Sequence, residues 1–413
     1  MDNKFPKHLD ILHTLGTQSP FPRLLGYKNI AVVNGEEWKQ QRKLMSPVFH
    51  RSMPVQLFGD LMTKVFRNID GGNGTVAVPG LMKSLALDIV GLSAFGFDFG
   101  ALDGDKSEWL STYELIREGF RTPLPWLFPK LDKYVHLFSP KRRKIIEAVD
   151  KLNGLLYKMA EQKREELKQN KALQEKEEHE KDLLTLLLEA EKREEGEVTD
   201  EFLKSNLAIF FITAQGGMAT SLSLCIYHLA LHKDIQRKAR EEAFTILGDE
   251  PVDVFPSIQQ CRQMRYIDMI IKENLRVTGS TALLAPRKAT EDVMVGDTLI
   301  PKGTLISVDV YNTHHSPDIW EDSDEFIPER FAEGGEYESQ SNKGLSWIPF
   351  SQGGRICIAV NFSLMQQRVS LAMLLRKYEW DLPEDSMFKD GMKVDYFRAI
   401  APKSLKINFK KRY

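Results

Sequence analysis

The stretch Trp347–Arg368, WIPFSQGGRICIAVNFSLMQQR, passes from an aromatic and proline lead into a polar glycine loop, an arginine, a cysteine and a helical run. Gly353 and Gly354 let the backbone bend tightly and come close to another group. Cys357 falls where the helix begins, and the N–H dipoles of a helix start stabilise a thiolate. Arg355, two residues earlier, adds positive charge. The assembly suits a thiolate that serves as a metal ligand. Taken alone, it also fits a buried structural cysteine that follows a loop.

Composition narrows the class around this loop. The chain has 413 residues, 42% hydrophobic and 28% charged, which is globular composition and excludes disordered or collagen-like chains. Lys and Arg number 56 against 58 Asp and Glu, a formal charge of -2, so no basic field points to nucleic acid. Cys225, Cys261 and Cys357 are odd in number and widely spaced, which suits a reducing, intracellular setting rather than a disulfide framework. No CxxC pair or histidine tract suggests zinc. The opening MDNKFPKHLDIL is neither a signal peptide nor an anchor. From Asn206 to Leu231 there is no Asp, Glu, Lys or Arg, a length that could span a bilayer. The polar residues Asn206, Thr213, Gln215, Thr220, Ser221 and Ser223 interrupt it, so it reads as a long helix buried through a large core.

Helical periodicity covers Glu36–Phe49, Met53–Asn68, Leu81–Phe95, Glu108–Phe120, Pro140–Lys168, Lys181–Lys192, Asp200–His232, Asp234–Leu247, Gln260–Val277 and Phe362–Lys377. Short β-like runs fall at Leu283–Ala289, Val293–Val295, Thr298–Ile300 and Leu305–Val310, and Val394–Phe409 alternates weakly, as edge strands do. Glu161–Lys192 is dense in Glu and Lys and reads as a solvated helix and linker region. No linker divides the chain. The expectation is one large, mainly α domain with small β-sheets over residues 1–413, an α+β fold.

FSQGGRICIA, Phe350–Ala359, resembles the haem-binding signature of the cytochrome P450 family, with Phe350, Gly353, Arg355 and Cys357 on its Phe, Gly, Arg and Cys positions. Ala359 stands where that signature usually closes on Gly. KENLR places Glu273 and Arg276 on the family's Glu-x-x-Arg motif, and PERF places Arg330 on the arginine that joins that pair in a buried ion network. The string DTLIPKGTLISV, Asp297–Val308, falls in the family's order as well. The resemblance, which covers about residues 4–410, implies a haem (iron protoporphyrin) cofactor with Cys357 as its axial iron ligand. It also implies that Trp38 and Arg42 of EEWKQQR, Arg287 of LAPRKATED, and Arg355 reach the haem propionates. Guanidinium forks suit carboxylates. A thiolate donates electron density to haem iron and favours cleavage of the O–O bond.

The central helix departs from the family's pattern. Its oxygen-activation motif normally carries an acid followed by Thr. Aligned on SLSLCIYHLALH, this chain has Thr213, Ala214, Gln215, Gly216, Gly217 and Met218, with Gly216 for the acid and Gly217 for the Thr. Proton delivery to activated oxygen needs a hydroxyl or an ordered water. The candidates left are Thr213 and Gln215, or Thr220 if the helix bulges. Trp38 also comes early, so the chain reads as truncated at its N-terminus relative to a full fungal-like, microsomal member. The leading expectation is a monooxygenase that inserts one oxygen atom from O₂ into a hydrophobic small molecule. Its electrons would come from a separate NADPH-dependent cytochrome reductase. A haem-thiolate isomerase or dehydratase acting on a peroxide substrate needs no acid–Thr relay. A degenerate, non-catalytic haem-binding protein is the third reading. Family membership further implies the endoplasmic reticulum membrane, here by surface association because the chain carries no anchor. Substrate-pocket walls are expected from Phe210–Gly217, Thr278–Leu284 and Tyr396–Ile400.

Overall fold

The computed structural model describes residues 4–8, 10–51, 53–104, 108–120, 127–170, 181–193, 198–279, 281–341, 345–392 and 404–413. Within them the chain is mostly helical with small antiparallel sheets, the fold class expected from the sequence. Two compact units emerge, one drawn from Met1–Val48, Val90–Ile212 and Ala285–Ser307, the other from Phe49–Ile89, Thr213–Leu284 and Val308–Tyr413.

In the second unit, helix Val55–Asp70 buries Phe58, Leu61, Met62, Val65, Phe66 and Ile69, a stripe at helical spacing. It packs on helix Val360–Lys377, where Phe58 and Phe362 meet edge to face at 5.1 Å. Helix Val360–Lys377 is buried nearly all round, so its polar residues need internal partners. Ser221 Oγ donates to Gln367 Oε1 at 2.7 Å, and Asn274 Nδ2 donates to the Ser221 carbonyl at 3.0 Å. Three helices are thus fixed in register by hydrogen bonds as well as by packing. One sheet orders strand Thr75–Ala77, then Lys406–Lys411, then Tyr378–Asp381, with Thr75 opposite Asn408 and Trp380 opposite Phe409.

In the first unit, Phe211 lies at the centre of an aromatic cluster with Phe99, Trp109 and Tyr113, at centroid distances of 5.7, 6.0 and 5.4 Å. It is a core residue, which corrects its expected place in a pocket wall. Strand Arg287–Lys288 pairs with Leu305–Ile306, and Val293–Val295 pairs with Thr298–Ile300 across a tight turn where Gly296 takes φ 57°.

Several boundaries differ from expectation for identifiable reasons. The Gln260–Val277 helix divides at Met264 into Ile258–Gln263 and Arg265–Thr278. Ser257 and Gln260 form a capping box on the first piece, and the Glu242 carboxylate accepts the Tyr266 and Ile267 N–H groups of the second at 2.7 and 2.9 Å. Helix Val78–Val90 ends in a π turn, Gly91–Phe95. The run Leu183–Leu188 is buried, not solvated, because Lys163 pairs with Asp182 at 2.9 Å and Asp182 caps the helix through Thr185 N at 2.8 Å. The rest of that charged region, 171–180, and the expected pocket segment Tyr396–Ile400 lie outside the described residues. Two helices, Val78–Phe95 and Asp200–Leu231, are long and apolar enough to cross a membrane, and 67% and 71% of their apolar windows are buried in the protein.

Candidate haem-thiolate site

The Trp347–Arg368 stretch folds into a loop that closes on itself before its helix. Ser351 and Gly353 take φ 64° and 69°, both in the left-handed region. For serine this conformation is uncommon, and it turns the chain back on Phe350. A 3-10 turn, Gly353–Arg355, follows, and Ile356 N–H donates to the Gly353 carbonyl at 3.1 Å. The Cys357 amide then donates to the Phe350 carbonyl at 2.9 Å, which closes the loop. Phe350 and Arg355 are half-buried there, and Cys357 is exposed. Cys225 and Cys261 are buried, and burial pushes both thiols up, Cys261 to about 11. They are inert core cysteines. At Gly353 an added Cβ would meet nothing within 4 Å, so open space lies beside the loop.

On the same unit, Glu273, Arg276 and Arg330 are joined. Arg276 Nε and Nη2 donate to Glu273 Oε2 and Oε1, each at 2.8 Å, a bidentate pair with both side chains fully buried. Arg276 also donates to the carbonyls of His314, Ser323 and Glu325 at 2.7, 2.6 and 2.8 Å. Arg330 reaches Glu273 Oε1 at 3.4 Å and pairs with Glu336. The Ile327 amide donates to Glu273 Oε1 at 2.9 Å. Each buried charge is therefore neutralised and hydrogen-bonded, the condition under which burial is tolerated.

Trp38, Arg42 and Arg287 belong to the other unit. Trp38 and Arg42 lie i,i+4 on helix Gly35–Arg51, both half-buried. Arg287 is half-buried in strand Arg287–Lys288, with Nη1 donating to the Phe5 carbonyl at 2.9 Å. Residues 4–8 run alongside this strand through Lys288 N to the Pro6 carbonyl and His8 N to the Pro286 carbonyl, both 3.1 Å. Lys7 and Asn34 exchange hydrogen bonds at 2.9 and 3.2 Å, and Trp38 N donates to the Asn34 carbonyl at 3.3 Å. Lys7 and Asn34 thus tie the Arg287 strand to the start of the Trp38–Arg42 helix. Nothing in their residue types announces this, because main-chain groups and one amide carry it.

The central helix Asp200–Leu231 stays α-helical through residues 210–220, without a bulge. Thr220 is buried, at 4% exposure, so the bulge that would bring it forward is not formed. Thr213 and Gly216 are exposed and Gly217 is half-buried. A Cβ on Gly216 would meet nothing within 4 Å. The Gln215 side chain lies outside what the structure describes.

A family model described as Cytochrome P450 matches residues 19–409. The chain belongs to the cytochrome P450 family. Among curated relatives it is 27% identical over 366 residues to the protein LUTEIN DEFICIENT 5, chloroplastic, of Arabidopsis thaliana, covering 86% of this chain and 60% of that protein. It is 27% identical over 369 residues to Cytochrome P450 3A5 of Homo sapiens, covering 85% and 69% respectively. Among solved structures, the cytochrome P450DA heme domain superposes with a TM-score of 0.80 at 19% identity, covering 100% of this chain and 85% of that one. The chain therefore spans about 60% of the plant relative's length.

The P450 fold binds haem, and the residues present fit that cofactor. Among the described residues no group of three or more His, Cys, Asp or Glu could hold a bare metal ion. An exposed thiol on a closed glycine loop, with open space beside Gly353 and an arginine two residues before it, suits an iron already held in a macrocycle.

Proposed function

We propose that this P450 is a haem-thiolate monooxygenase that inserts one oxygen atom from O₂ into a hydrophobic small molecule. In this reading an NADPH-dependent cytochrome reductase supplies the electrons. The exposed Cys357 thiol, on a loop closed by the Cys357–Phe350 main-chain bond, carries the proposal. Cys357 would hold the haem iron, with Gly353 giving the loop its close approach and Phe350 its packing. Arg355, Trp38, Arg42 and Arg287 would bind the haem propionates, and Glu273, Arg276 and Arg330 would support the cysteine loop. Haem, when bound, supplies the reductive activation of O₂. The chain's own part is to fix the thiolate, exclude water and deliver protons. Thr213 and Gln215 are the residues left to order a proton-carrying water, because Gly216 and Gly217 offer no side-chain donor. The reduced, CO-bound optical spectrum is the test. The wild type should show the red-shifted thiolate-type Soret band, and Cys357→Ala should lose it while remaining soluble. Retention of that band in Cys357→Ala would overturn the ligand assignment.

The open Gly216 position favours one second reading, an isomerase or dehydratase acting on a substrate that already contains a peroxide bond. Conversion of a lipid-type hydroperoxide without NADPH, and none of any substrate with O₂ and reductase, would select it.

For location we propose the cytoplasmic surface of the endoplasmic reticulum membrane. Leu127, Phe128, Leu131, Tyr134, Leu137 and Phe138 are exposed, and Phe138 is 84% accessible. Within the segment 127–144 the accessible charges, Lys130, Lys133, Lys141, Arg143 and Lys144, are cationic, while Asp132 is buried against Arg142. An apolar face rimmed by lysine suits an anionic interface. Flotation with phosphatidylserine vesicles should be lost in a Leu131→Asp, Phe138→Asp variant; flotation unchanged by those substitutions would reject this surface.

A further inference from the structure

Between the Glu273–Arg276 pair and the cysteine loop stands one histidine. His314 closes the short helix Val310–His314, which Asp309 caps by accepting Asn312 N at 2.9 Å. It is 1% exposed. Its main-chain carbonyl accepts Arg276 Nη1 at 2.7 Å, and its ring Nε2 lies 2.9 Å from the Ile348 amide. An amide can only donate, so Nε2 is the acceptor and the ring proton of the neutral imidazole sits on Nδ1. Burial first, and then the charges of Arg276 and His315, push His314 down to about 3, so the ring remains an acceptor throughout the neutral range.

Ile348 is the doorstep of the loop. Its carbonyl accepts the Ser351 amide at 3.0 Å, where the chain first turns into the left-handed region. Two residues after Ile348, the Phe350 carbonyl receives the Cys357 amide at 2.9 Å. A side-chain bond from Trp347 Nε1 to the Lys272 carbonyl at 3.2 Å also holds this lead. Trp347 fixes the lead against the Glu-x-x-Arg helix from outside, whereas His314 links it to Arg276 itself.

We propose that His314 is a positioning residue for the Cys357 thiolate, holding the loop in register with the buried ion pair by accepting the Ile348 amide. It touches neither substrate nor cofactor. The proposal rests on Cys357 being the iron ligand. Removal of the acceptor leaves a buried amide unpaired, and the loop then exchanges that amide for water by swinging out. Loss of one such bond shifts the balance between held and released loop by about tenfold.

Three variants test this in the haem-loaded full chain and in haem-free protein. His314→Leu keeps the bulk and removes the acceptor. His314→Gln places an oxygen near the Nε2 position, and His314→Asn places one near Nδ1, out of reach of Ile348. The readouts are the fraction of the reduced CO complex that shows the thiolate-type Soret band and, without haem, the rate of Cys357 alkylation by iodoacetamide. Melting temperatures are measured alongside. The expected result is a thiolate-type fraction that collapses in His314→Leu and His314→Asn and recovers in His314→Gln, with alkylation about tenfold faster in the first two. If His314→Leu does not fold, the contrast between Gln and Asn at matched melting temperature decides. Equal behaviour of Gln and Asn, or a loss that merely tracks melting temperature, would overturn the positioning role. A wild type without any thiolate-type band would instead refute the ligand assignment, and the two failures are distinguishable.

Discussion

The Glu-x-x-Arg network and the Gly216 turn of the central helix lie in the same unit and stand at opposite extremes of constraint. Arg276 donates to one carboxylate and three carbonyls, at zero side-chain exposure. Gly216 has no side chain, is exposed, and has open space where a Cβ would go. Arg276 is saturated, and its removal leaves a buried carboxylate unanswered. The Gly216 turn is empty, and changes there have room. Rigidity is concentrated at the buried ion pair, and the helix around Gly216 is left free to vary.

The largest effect should come from Arg276→Ala, which strips Glu273 of its bidentate partner. A charge left buried without its partner costs about 3–5 kcal/mol. The expected outcome is loss of folded, haem-loaded protein, measured as haem content per chain after purification. Normal haem content in that variant would erase the contrast drawn above.

A smaller effect should follow from acid. Burial holds His228 and His314 at about 3 in the folded state, against 6.5 for free histidine, with Arg276 adding to the depression in both. Between those values the unfolded chain binds protons that the folded chain refuses, so stability rises with pH through that window and is lost as pH falls below 6.5. Each histidine contributes at most about 1.4 kcal/mol per pH unit. His228 Nε2 lies 3.3 Å from Thr278 Oγ1, and His228→Gln keeps a polar partner there without the titration. Its melting temperature should fall less steeply between pH 6.5 and 4. An unchanged slope would remove His228 from the account.

At the empty end, Gly216→Ala should raise stability by about 0.5–1 kcal/mol, because alanine costs less backbone entropy in a helix and nothing stands in its way. Chemical denaturation would show a shifted midpoint. The pair Gly216→Asp and Gly217→Thr sharpens the functional half of the comparison. Product formed per NADPH consumed, with a reductase and a turned-over substrate, should rise and hydrogen peroxide release should fall. Tight coupling in the unmodified protein, with no gain on substitution, would mean that water near Thr213 already serves.

What could be read from sequence was what rests on local periodicity. The long helices, the paired runs Val293–Val295 and Thr298–Ile300, and the mainly α class follow from residue spacing. The break at Met264 was not readable, because Glu242 from a neighbouring helix supplies the acceptors that start a new helix there. Strand Thr75–Ala77 is only three residues long and is defined by partners near residue 407. Leu183–Leu188 looked like part of a charged linker, since its neighbours set the composition while the Lys163–Asp182 pair sets the burial. In the site, the i,i+3 spacing of Glu273 and Arg276 is visible in the sequence. The His314–Ile348 bond is not, because it joins residues from separate segments through a main-chain amide.

The sheet that pairs Thr75 with Asn408 also has a consequence for synthesis. Its middle strand, Lys406–Lys411, is made last and lies between two strands made earlier. Until it leaves the ribosome, Thr75–Ala77 and Tyr378–Asp381 have no partner in this sheet, and their edges stay open to other nascent chains. Pairings across so many residues are slow to form. Translation thus leaves the edge of Thr75–Ala77 exposed for a long interval, and yield in cells should depend on chaperones that cover strand edges until Lys406–Lys411 arrives.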